Sequence, residues 1–134
     1  MARIKAYQQL EHSECGITCI RIIAKYYGQD IPLSYLREKC DVGRMGISLR
    51  DILECTRQLG FRAEALKIQI EDVERMPLPS IMNFDQAHYV VLYKISKNGQ
   101  RFMIADPARG KIRLSRNEFE HHWLNDDITT LDAH

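Results

Sequence analysis

Apolar residues in the first sixty positions recur at intervals of three and four, and beyond Gly60 they begin to alternate. The change of period predicts a helical first part followed by strands. From Cys15, the residues Ile17, Cys19, Ile20, Ile22, Ile23 and Tyr26 form one apolar face, and Gly28 can end that helix in a left-handed cap. Pro32 sets a turn, Ser34 or a neighbour is available as a cap, and "LSYLREKC" gives a short second helix with Leu33, Leu36 and Cys40 inward. After the link "DVGRMG", Ser48 is a good N-cap for "LRDILECTRQLG", where Leu49, Ile52, Leu53 and Leu59 supply the apolar face.

In the second part "FRAEALKI" alternates, "PLPSIMNF" is a short apolar run after prolines, and "HYVVLYKI" is rich in β-branched and aromatic residues. "KNG" at 97–99 is a hairpin turn, so "HYVVLYKI" and "RFMIADP" are expected to pair antiparallel, with "ARG" leading on to "KIRLS". Ser115 and Glu118 fit a capping box for the helix "RNEFEHHWL", which presents Phe119 and Trp123 to the sheet. The expected fold class is α+β, an N-terminal helical half packed on a C-terminal, mostly antiparallel sheet.

The chain has 134 residues, the size of one domain. Its 19 basic and 18 acidic residues are spread along it, so no electrostatic footprint for nucleic acid or anionic lipid stands out and no nucleic-acid partner is expected. No apolar run approaches the roughly 18 residues of a membrane span, and "MARIKAYQQL" lacks the features of a secretory signal. The domain is expected to be soluble and cytosolic. Cys15, Cys19, Cys40 and Cys55 all lie in the helical half, and all four are read as free thiols of a reducing compartment.

Against this plain background one constellation carries chemistry. Cys15 opens a helix, where the positive end of the helix dipole favours a thiolate over the ordinary thiol. The hairpin brings His88, near the start of one strand, to the same sheet edge as Asp106, near the end of the next. His88 can take the thiol proton and later give it to a leaving amine, and Asp106 can fix the imidazole tautomer. Gln9 can donate its amide to an oxyanion beside the backbone N–H of Cys15, each such donor being worth roughly 2.7–4 kcal/mol. By spacing alone Gln8 is adjacent, and either glutamine fits an exposed loop. Gly16, without a side chain, would let a substrate backbone approach the thiolate.

Each residue alone has an ordinary reading: a structural cysteine, a satisfied histidine, an Asp-Pro turn. Zinc on Cys15, Cys19 and His12 with a distant fourth ligand is a competing use of the same segment. No C-x₂-C pair supports it, and no metal or other cofactor is expected. His121 and His122 are read as a surface pair flanking Trp123, and Asp85 is given no role.

"YQQLEHSECGITCIRIIAKYYG", "GISLRDILECTRQLGF", "PSIMNFDQAHYVVLYKI" and "FMIADPARGKIRLSRNEFEHHW" resemble the bacteriocin-processing peptidases, the double-glycine cysteine-peptidase domains at the N-terminus of peptidase-containing ABC transporters. The resemblance covers residues 7 to about 123. It implies a papain-like fold, a triad of Cys15, His88 and Asp106 with Gln9 as oxyanion donor, and cleavage of leader peptides after Gly-Gly or Gly-Ala. It also implies an alternative, a catalytically silent module that only docks the leader. The implied partners are the double-glycine leader peptide of a secreted precursor and the transmembrane and ATPase domains of a parent transporter at the cytoplasmic face of a bacterial cell membrane. On this view residues 1–134 are a single peptidase domain, the N-terminal part of a longer chain. The tail "LNDDITTLDAH" is shorter and more polar than the apolar last strand of the family, so a final strand is left unassigned.

Overall fold

In the computed structural model, residues 3–40, 42–43, 46–85 and 88–123 are described in full and 127–133 by their backbone. The helices lie where the three-and-four period puts them. Helix α1, Cys15–Tyr26, buries Ile17, Cys19, Ile20, Ile22 and Ile23 completely, and Gly28 follows it with φ +91°. Helix α2, Leu33–Lys39, starts behind Pro32 and has no side-chain cap, so Ser34 does not serve as one. Helix α3, Leu49–Gln58, is capped as expected, Ser48 Oγ accepting from the Asp51 N–H at 3.1 Å.

Strands β1 (Phe61–Lys67), β2 (Ser80–Phe84), β3 (His88–Ile95), β4 (Arg101–Asp106), β5 (Gly110–Ser115) and β6 (Asp127–Ala133) make one sheet in the order β1-β6-β2-β3-β4-β5. Every pairing is antiparallel. The β3–β4 hairpin forms through the turn at 97–99, with a shift of register between Leu92 and Lys94. The polar tail departs from expectation: residues 127–133 form a strand between β1 and β2, where hydrogen bonds from both sides select it. Its run Ile128, Thr129, Thr130 is β-branched, a composition that suits a strand although it is not apolar.

The two faces of the sheet bury different chemistry. On one, α1 packs on β3 and α3 on β1, around aliphatic residues of the helices with Phe61, Ile81, Tyr89 and Val91. On the other lie helix α4 (Arg116–His122) and a 3₁₀ segment, Ile70–Arg75, that the sequence pattern does not announce. There Phe102 stacks on Phe119 at 4.4 Å, and Phe84 and Trp123 pack against the same ring. The Ser115–Glu118 capping box closes the start of α4.

Cys40 and Cys55 correct the reading of four free thiols. Cys40 caps the end of α2 and Cys55 lies on α3, their Cα atoms come within 5.5 Å, and the two sulfurs are bonded. Cys15 and Cys19 are buried and take no part in that disulfide.

Candidate active site

The hairpin positions the first pair of groups. Phe84 pairs with His88 across β2–β3, and Asp106 ends β4, so both side chains reach the same end of the sheet. His88 Nε2 lies 2.6 Å from Asp106 Oδ1. Burial would push the Asp106 carboxyl up, but the His88 hydrogen bond, the Ala108 N–H at 2.8 Å and the Arg109 charge outweigh it and hold the group below its ordinary value. The hydrogen bond to Asp106, with another to Cys15, raises His88 to about 9 against the opposing effect of burial. With Nε2 engaged by Asp106, Nδ1 is the ring nitrogen left for Cys15.

Cys15 is the first residue of α1 and only 6% exposed. Burial pushes its thiol up, yet the hydrogen bond to His88, the Tyr89 N–H at 3.5 Å, the imidazolium charge and the Gly16 N–H together bring it below the ordinary thiol range. One turn further on, Cys19 shows the contrast. Burial, with the charges of Cys15 and Asp106, drives its pKa far up, so it remains an inert thiol of the core.

Gln9 sits beside these groups through its backbone, its N–H donating to the Pro107 carbonyl at 2.9 Å. Its side-chain amide donates to the carbonyls of Glu11 (3.2 Å) and His12 (3.3 Å), in and just before the 3₁₀ turn His12–Glu14. Both amide hydrogens are thereby engaged. Gly16 has a packing role that the sequence reading did not give it. A Cβ there would lie 2.2 Å from Ile47 Cγ2 and 3.3 Å from Ile52 Cδ1, so glycine is required for packing the α2–α3 link against α1, and Gly16 faces the core rather than the cleft.

A cleft of about 370 Å³ opens at Cys15, His88 and Asp106, with a floor of Phe84, Ile112 and Leu114. Its rim carries residues to which the sequence reading gave no role in the cleft. Arg109 and His12 line it, as do Asp85 and His122. Asp85, at φ +52°, donates its N–H to the His122 carbonyl at 2.8 Å, and its carboxylate meets His122 Nδ1 at 3.1 Å. His122 also stacks on Phe84, so it belongs to the cleft and not to a plain surface pair with His121. The spacing between loop residue and helix end is too long for any local motif to reveal this link. Among the described residues no group of three His, Cys, Asp or Glu side chains is arranged to hold a metal ion, and Cys19 does not reach the cleft that His12 lines.

Comparison with known proteins adds a family and a frame. The profile of the Peptidase C39 family matches residues 3–131. The chain is similar to the colicin V secretion/processing ATP-binding protein CvaB of Escherichia coli, 33% identical over 90% of this chain and 17% of that protein. It is similar also to the lactococcin-G-processing and transport ATP-binding protein LagD of Lactococcus lactis, 39% identical over 87% of this chain and 17% of that one. The chain thus spans less than a fifth of the length of these relatives. Among solved structures, a double glycine motif protease from an AMS/PCAT transporter, in complex with the leader peptide, superposes with a TM-score of 0.92 at 25% identity, covering 99% of this chain and 94% of that one. The peptidase domain of Streptococcus ComA gives a TM-score of 0.88 at 25% identity, over 98% of this chain and all of the other. The architecture is that of these peptidase domains, helices packed on an antiparallel sheet.

Proposed function

This chain belongs to the Peptidase C39 family, a family of cysteine peptidases, and from that premise we propose that it is an endopeptidase that cuts leader peptides after a Gly-Gly or Gly-Ala pair as bacteriocin-like precursors are exported. The observation that carries this reading is the buried relay in which Asp106 holds His88 by Nε2 and so offers Nδ1 to Cys15. The Cys15 thiolate attacks the carbonyl carbon of the second leader glycine, and the oxyanion forms near the Cys15 N–H and the Gln9 amide. His88 gives its proton to the leaving amine as the C–N bond breaks. Water, losing a proton to His88, then opens the thioester and releases the leader carboxylate. Asp106 stabilises the imidazolium throughout and keeps its tautomer.

The burial of Cys15 supports the choice of substrate. With Cys15 only 6% exposed, a scissile bond flanked by residues with little or no side chain reaches it most readily, which favours glycine and alanine. The lactococcin, colicin V and double glycine relatives support the same class by their names. The proposal extends to a papain-like arrangement of helical half and sheet, and to a domain that stands at the N-terminus of an ABC transporter. In that setting it works at the cytoplasmic face of the cell membrane beside the transmembrane and ATPase domains. No helix among the described residues is long and apolar enough to cross a membrane.

The test is mass spectrometry of a synthetic leader peptide ending in Gly-Gly and followed by several cargo residues, incubated with the protein under conditions that keep Cys15 unoxidised. Cleavage after the second glycine, abolished in Cys15→Ala with the fold retained, is the expected result. Cleavage by Cys15→Ala at a comparable rate would sink the reading. Binding without cleavage by the native protein would replace it with a leader-docking module.

A further inference from the structure

Glu14 is a buried carboxylate that the chemistry above does not use. It is 4% exposed, directly precedes Cys15, and does not line the cleft. Arg37 of α2 reaches over it, Nε donating to Oε2 and a terminal nitrogen to Oε1 at 3.1 Å. The Arg37 hydrogen bond holds the Glu14 carboxyl below its ordinary value against burial, with backbone N–H groups of Glu11 and Leu10 adding to the effect. The Glu11 N–H lies 3.0 Å from Oε1. One carboxylate therefore organises the turn from Leu10 to Glu14. Gln9 stands at one end of that turn with its amide hung on the Glu11 and His12 carbonyls, and Cys15 stands at the other. Stability alone does not call for such a pair, because Arg37 is 40% exposed in its side chain and an ion pair reached by solvent adds little. A fixed geometry does call for it.

We infer that Glu14, clamped by Arg37, is a positioning residue that fixes the turn between Gln9 and Cys15, so that the Gln9 amide has only to exchange an internal acceptor to join the Cys15 backbone N–H at an oxyanion. The inference rests on the reading of Cys15 and Gln9 proposed above. It acts on the transition state and not on the thiolate, which burial opposes and His88 with the Tyr89 N–H favours.

A double-mutant cycle on leader-peptide cleavage tests it. Arg37, 40% exposed in its side chain, is the gentler member to change. Arg37→Gln is expected to lower kcat about tenfold with KM within about twofold, and Gln9→Ala to lower it by about 10²-fold. In the Gln9→Ala background, Arg37→Gln should cost less than about twofold more, since the two act through one group. Arg37→Lys should recover part of the loss. Alkylation of Cys15 should proceed at the native rate in Arg37→Gln. An equal loss in both backgrounds, or alkylation slowed in step with kcat, would overturn the inference and leave the pair a structural brace. If Arg37→Gln did not fold, the same cycle with Arg37→Lys would decide. Gln9→Ala without any cost would remove the oxyanion role of Gln9 and this inference together, while the Cys15→Ala result would still judge the peptidase reading separately.

Discussion

The two halves of the site are built to different degrees of completion. The strand-borne half, His88 and Asp106, is held by ladder hydrogen bonds, half or fully buried, and closed by a 2.6 Å contact. The loop-borne half has its donor, the Gln9 amide, spent on carbonyls of its own turn, and Gln9 Oε1 is buried without a hydrogen-bond partner among the described residues. Acid–base chemistry is thus ready before substrate arrives, whereas oxyanion stabilisation requires the amide to exchange an internal acceptor for the substrate. Preorganised donors are the most effective kind, so this half is where substrate contacts have most to gain.

Asp106→Asn attacks the finished half and is expected to cost the most. The isosteric amide favours the wrong imidazole tautomer, and kcat for cleavage should fall on the order of 10³-fold or more while leader binding persists. Gln9→Ala removes a donor that must first be released, and its expected loss of about 10²-fold is smaller. Steady-state kinetics giving equal losses for the two would break the contrast.

The pH dependence sharpens it. The thiolate exists above the lowered pKa of Cys15, and the imidazolium exists below about 9, so alkylation of Cys15 should remain fast well under the ordinary thiol range. Cleavage, which needs the His88 proton for the leaving amine, should decline as pH rises through about 9. His88→Ala should return the alkylation profile to that of an ordinary or buried thiol. Identical profiles in the two proteins would dissolve the ion pair.

Packing changes should touch turnover least. Gly16→Ala drives a methyl into Ile47, with an expected loss of about 1–3 kcal/mol in stability by chemical denaturation and a smaller loss in kcat. Cys40→Ser opens the α2–α3 bond away from the cleft, lowering stability by about 3 kcal/mol for a loop of this size. It should change kcat less than about twofold.

What the sequence made legible follows the same division. Cys15, His88 and Asp106 could be placed because a helix start and a two-strand hairpin are local, and their periods and turn residues declare them. The Cys40–Cys55 bond could not be, since it depends on where α2 comes to lie against α3. The Asp85–His122 link and the Glu14–Arg37 clamp join residues 37 and 23 positions apart, with no spacing rule to reveal either. Gly16 carries a packing demand that spacing does not reveal. Its position beside the nucleophile suggested room for substrate, while its actual neighbour is a core isoleucine. Residues 127–133 were passed over because the choice of a strand flanked on both sides is made by its neighbours and not by alternation within the segment.

That last strand also sets a timetable. Strands β1 and β2 follow one another in the chain but cannot be joined in the sheet until β6 arrives between them. As the polypeptide is synthesised, the α1–α3 helices and the β2–β5 meander have every local partner they need, so the residues of the relay can gather early. The sheet meanwhile stays split, with two unsatisfied edges facing each other across the width of one strand, an arrangement open to pairing with foreign chains. Of the six strands, the one made last is the one that seals the sheet.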